Sequence, residues 1–137
     1  MSVSLLLRAL AVAVAAMVLN LLAAFAWVWI YSLAVAPGHD AAFYQSHARV
    51  AGPICDILFG IPLLFGAGWL IARHAGWRAG AIIGMFYVLI DLAALVSTTQ
   101  QGLAGAWPLA LVSYLTKMAA AALGGFLGRQ GWESRGA

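Results

Sequence analysis

Four polar side chains, Asn20, Asp56, Asp91 and Lys117, interrupt long apolar stretches of the chain. A charged group near the centre of a membrane helix costs about 2.5 to 3.5 kcal/mol on insertion scales, so it persists where a partner neutralises it or a function uses it. An acid and a base on neighbouring helices can form an ion pair, relay a proton or line a polar path, and an amide can hydrogen-bond to either. Other chemistries lack their residues. His39, His47 and His74 lie in connections between the apolar stretches, which leaves no axial pair for a buried haem. The single cysteine, Cys55, has no intrachain partner, and no Cys or His spacing suits zinc. HExxH, GxSxG, a phosphate-cradling glycine loop and a catalytic carboxylate pair are all missing. The expectation is a protein without cofactor or metal, and not an enzyme.

The elements that position these four groups follow from composition. Of 137 residues, 65% are hydrophobic and 8% charged, and the mean hydropathy is +0.98. A soluble domain carries about 25% charged residues, so this chain cannot cover a core with polar surface in water. That excludes a soluble enzyme, a nucleic-acid-binding domain, a disordered segment and a secreted disulfide scaffold. The net charge of +3 comes from scattered residues that form no basic stripe, so no nucleic-acid partner is expected.

Apolar stretches run over about 5–36, 54–72, 79–97 and 107–127. Each can cross a hydrocarbon layer of about 30 Å at about 1.5 Å per residue, and none alternates as a barrel strand would. The sequence therefore predicts an all-α, polytopic membrane protein: one transmembrane domain over residues 1–137, with four helices in a compact up-down bundle. Arg8 before an apolar run and Ala34-Val35-Ala36 after it resemble a signal peptide, but the run is about twice the usual apolar length. It is read as a retained first helix.

Arg8, Arg73, Arg78, Arg129 and Arg135 fall on one side of this layout, and only Arg49 on the other. By the positive-inside rule both termini are expected in the cytoplasm, in a multi-pass protein of a bacterial inner membrane. Trp27, Trp29, Tyr31, Phe43, Tyr44 and Trp107 then lie near the outer boundary, and Trp69, Trp77 and Trp132 near the inner one. Within the first outer connection, Asp40 can cap a short interfacial helix over 41–50, whose Phe43, Tyr44, His47 and Val50 share a face.

Helical periodicity puts each polar group on a stripe of small residues. Asn20 shares a face with Ala9, Ala13 and Ala16; Asp91 with Gly80, Gly84 and Tyr87; Lys117 with Ser113, Ala121, Gly124 and Gly128; Asp56 with Gly60 and Ala67. Small residues let backbones approach, and GxxxG spacing occurs at Gly76, Gly80 and Gly84 and at Gly124 and Gly128, so the polar groups should point into the bundle. Asp91 is placed about 10 Å and Lys117 about 15 Å below the outer boundary, on sequential antiparallel helices, which predicts an Asp91–Lys117 ion pair. Asn20 could hydrogen-bond to that pair. Asp56, three residues after Pro53, is expected to complement the dipole at the start of the second helix. Its alternative is an outer vestibule with Tyr44, His47, Gln100 and Gln101.

Two functions follow as expectations. The first is a non-enzymatic accessory or assembly subunit of a membrane complex, with the ion pair structural. The alternative is a small oligomeric transporter or channel with the pair in its path. Expected partners are the lipid bilayer and either further copies of the chain or another membrane subunit.

Overall fold

The computed structural model describes residues 3–98 and 103–133. They form helices α1 (Val3–Ile30), α2 (Ala41–Ala75), α3 (Arg78–Thr98) and α4 (Leu103–Glu133). All four carry apolar segments long enough to cross a membrane, and among the described residues there is no strand. This is an all-α bundle of an integral, multi-pass membrane protein.

Large apolar side chains cover its outside: Leu21 and Phe25 on α1, Leu58 and Leu70 on α2, Leu89 on α3, Leu115 and Leu123 on α4 are all exposed. Acyl chains are the solvent that such a surface suits. The interior is small by contrast, built from Ala9, Ala13, Ala16, Leu64, Ile83, Tyr87 and Ala121. Water gives no drive for one helix to prefer another inside lipid, so close backbone packing has to supply it. The α2–α4 contact shows how: a side chain at Gly68 would collide with the Ala121 carbonyl, and one at Gly124 with the Phe65 carbonyl. Helices α1 and α4 each pack on both α2 and α3.

Between α1 and α2 the chain turns tightly. Helix α1 ends in a π-helical turn over Tyr31–Val35, closed by Ala36 N donating to the Tyr31 carbonyl at 3.0 Å. Gly38 then adopts φ +84°, a left-handed conformation that costs glycine little. Asp40 Oδ1 accepts from Phe43 N at 2.9 Å and starts α2, as its N-cap position predicts.

Helix α2 departs from expectation. It runs without interruption through Pro53 and Pro62, so the short interfacial helix expected over 41–50 is not a separate element but the first turns of α2. Each proline deletes one backbone donor, whereas breaking the helix would strand several backbone groups in hydrocarbon. Continuity is the cheaper outcome. At the other end Gly76 forms the turn to α3 with φ +79°, so it does not extend the Gly80 and Gly84 contact face.

Candidate functional site: a buried acid–base cluster

Lys117 is fully buried in the bundle. Its stem crosses α2 at Gly60, where an added β-carbon would stand 2.5 Å from Lys117 Cε. Its ammonium lies 2.5 Å from Asp56 Oδ2 and 4.8 Å from the centre of the Tyr87 ring, close enough for a cation–π contribution.

Asp56 is the hub. Its Oδ1 accepts from Asn20 Nδ2 at 2.6 Å and from the Tyr87 hydroxyl at 3.4 Å. Its Oδ2 accepts from Ser113 Oγ at 3.0 Å besides meeting Lys117. Asn20 Nδ2 also donates to the Tyr87 hydroxyl at 2.8 Å. All four helices thus contribute to one carboxylate, with Asn20 from α1, Tyr87 from α3, and Ser113 and Lys117 from α4. Asp91 stands one turn beyond Tyr87 on α3, inside the electrostatic range of Asp56, Lys117 and Tyr114.

The sequence-based candidates Asn20, Asp56, Asp91 and Lys117 therefore share one neighbourhood, but the pairing differs from expectation. Lys117 pairs with Asp56, not with Asp91. Two features of the backbone explain the difference. Because α2 is continuous from Ala41, Asp56 lies fifteen residues inside it, about 22 Å from its start at about 1.5 Å per residue. It is no longer at a helix N-terminus, and the dipole-capping role expected for it does not apply. The second feature is direction. Gly60 meets Lys117, Gly68 meets Gly125 and Trp69 meets Gly128, so α2 and α4 run parallel with a nearly constant offset. Helical side chains tilt toward their own N-terminus. A lysine that starts opposite Gly60 is therefore aimed one turn back along α2, at Asp56.

The expected outer vestibule is arranged differently as well. His47 stacks on Tyr31 with ring centroids 3.6 Å apart and planes 7° from parallel. Tyr44 donates its hydroxyl proton to the Ala36 carbonyl at 2.7 Å and accepts from His39 N at 3.3 Å. Both residues thereby pin the end of α1 to the start of α2, and Asp56 takes its partners from deeper in the bundle. Gln100 and Gln101 lie outside the described residues.

Sequence periodicity places Gly60, Tyr87 and Ser113 on the right faces but reads them as packing. Tyr114 has only one sequence signal, a phenol three residues before Lys117 within an apolar run.

Chemically, the cluster is unbalanced. Two carboxylates face one ammonium, so with all three ionised it carries one excess negative charge. Asp56 has four donors around it and is fully satisfied. Capacity is left over elsewhere: Asn20 Oδ1 has no hydrogen-bond partner, and Lys117 Nζ has none beyond its ion pair. Among the described residues no three His, Cys, Asp or Glu side chains gather as a metal site. No protein family, curated protein or solved structure matches the chain.

Proposed function

We propose that the protein is a small membrane transporter or channel that moves a proton or small cation past Asp56, Asp91 and Lys117. The observation that supports this reading is the second carboxylate. A pair that served only to fix helix register would be neutral, as Asp56 and Lys117 are with respect to each other. Asp91 adds an acid that the lysine does not neutralise, and an uncompensated acid inside a bilayer is expensive to keep without a use. A non-enzymatic accessory or assembly subunit would need no such excess. With so few helices to wall a path, the working form is an oligomer, seated in the bacterial inner membrane with both termini in the cytoplasm, as the arginine distribution favours.

Reconstitution tests the reading. Proteoliposomes holding the full chain should carry a proton or monovalent cation current down an imposed gradient, and Asp91→Asn should reduce it at least tenfold. Wild-type liposomes no leakier than empty ones, across a range of pH and membrane potential, would rule transport out.

A further inference from the structure

Arg73 and Arg78 bracket the turn between α2 and α3, in which Gly76 takes its left-handed φ of +79°. The apolar span of α2 ends at Arg73 and that of α3 begins at Arg78, so both side chains stand where hydrocarbon gives way to headgroups. Each guanidinium is seated on an indole. Arg73 Cζ lies 3.8 Å from the centre of the Trp69 ring, and Arg78 Cζ 5.6 Å from that of Trp77, both within cation–π range. Neither arginine has a hydrogen-bond or ion-pair partner among the described residues. A guanidinium that engages a ring with its face keeps the N–H donors of its edge, the part that matches phosphate oxygens two at a time.

Helix α4 anchors both tryptophans. A β-carbon at Gly128 would stand 3.0 Å from Trp69 Cδ1, and one at Gly125 would stand 2.6 Å from the Trp77 carbonyl oxygen. Phe65, Trp69 and Arg73 also follow one another at four-residue spacing, which puts them on one face of α2. Phe65 and Trp69 are exposed. The ridge is therefore apolar toward the middle of the bilayer and cationic at its edge, the reverse face of a lipid with a negative headgroup.

We propose that the α2–α3 turn is a binding site for an anionic phospholipid, whose phosphate takes the free donors of Arg73 and Arg78 while an acyl chain lies along Trp69 and Phe65. The site stands apart from the Asp56 cluster and does not require the chain to transport. Orientation by the positive-inside rule needs only charge, and water solvates such arginines well. Here two arginines rest on rings whose backbone α4 holds, which restricts the side chains beforehand and lowers the entropy lost on binding. A free phosphate would satisfy the arginines but leave the exposed ridge below them without a partner. A zwitterionic headgroup carries a cation of its own, which the two guanidiniums repel.

Native mass spectrometry of the delipidated full chain in a mild detergent tests the site. The chain is titrated with phosphatidylglycerol, with phosphatidylcholine of the same acyl chains, and with inorganic phosphate. One phosphatidylglycerol per chain should bind about tenfold more tightly than phosphatidylcholine, the order expected of two basic groups at a membrane surface. The pair Arg73→Gln, Arg78→Gln should abolish that preference at wild-type helical content. Arg49→Gln, which removes an exposed arginine from the earlier part of α2, should retain it. The pair Arg73→Lys, Arg78→Lys keeps the charge without the planar fork and should bind phosphatidylglycerol more weakly than wild type. Equal affinity for the two lipids would overturn the proposal, as would a preference that survives the glutamine pair, an equal loss in Arg49→Gln, or undiminished affinity in the lysine pair. Inorganic phosphate that binds as tightly as phosphatidylglycerol would overturn the lipid as occupant.

Discussion

Lys117 occupies the space in which a side chain at Gly60 would stand, its Cε 2.5 Å and its Nζ 3.3 Å from where that β-carbon would be. Position 60 is therefore part of the lysine's binding slot. Gly60→Ala should destabilise the bundle. Overpacking costs about 1 to 3 kcal/mol, and the better helix propensity of alanine returns at most about 1 kcal/mol. Denaturant unfolding in a mild detergent reads the difference, and a variant as stable as wild type would mean that the stem runs elsewhere.

Removing Lys117 leaves Asp56 charged without its counter-ion. Lys117→Met is expected to cost about 3 to 5 kcal/mol, the usual consequence of breaking a buried pair from one side. The double variant Asp56→Asn, Lys117→Met should be markedly more stable than Lys117→Met alone, because no orphan charge remains. Additive losses in this cycle would show that the two residues do not interact.

Asn20 donates to both Asp56 and Tyr87, whereas Ser113 donates to Asp56 alone. Polar contacts between membrane helices are worth about 0.6 kcal/mol on average and about 1.7 kcal/mol at most. Asn20→Ala should accordingly lower stability more than Ser113→Ala, and it should loosen α1 before the other helices. Hydrogen exchange across Ala16 to Ala24 is the measurement, with unchanged protection as the contrary outcome.

The Asp40 cap should matter locally. Asp40→Ala is expected to cost about 1 kcal/mol, the usual effect of losing an N-cap, and to raise exchange at the Phe43 amide without disturbing Lys117. A loss spread evenly over the four helices would point to a wider role for this turn.

Topology is open to chemical labelling. With Cys55 replaced by alanine, cysteines introduced at Gly38 and Gly76 should react with a membrane-impermeant reagent from opposite faces of the membrane, position 76 on the same face as the N-terminus. Labelling of both from one face would contradict the four-span arrangement.

Much of this architecture is legible before any coordinates. Periodicity alone puts Ala9, Ala13, Ala16 and Asn20 on one face of α1, and all four are buried. The small-residue stripe of α4 is equally plain, with Ser113, Lys117, Ala121, Gly124 and Gly128 all inside. What sequence spacing cannot supply is the partner of each face. Proximity in the chain favours α3 against α4, and they do pack, but the close backbone approach at Gly68 and Gly124 holds α4 against α2 as well. Pro53 compounds the difference, because it reads as a helix start in water but lies inside a helix here. The height of Asp56 depends on the helix continuing through that proline, and with it the identity of the lysine's partner.

Helices α1 and α4 reach each other's influence through a single carboxylate, since Asn20 and Ser113 sit on the two oxygens of Asp56. Such an arrangement works as a keystone. Any event that rotates or discharges Asp56 removes a polar hold on both flanking helices in the same instant, and leaves the close backbone contacts at Gly68 and Gly124 to keep α2 and α4 together.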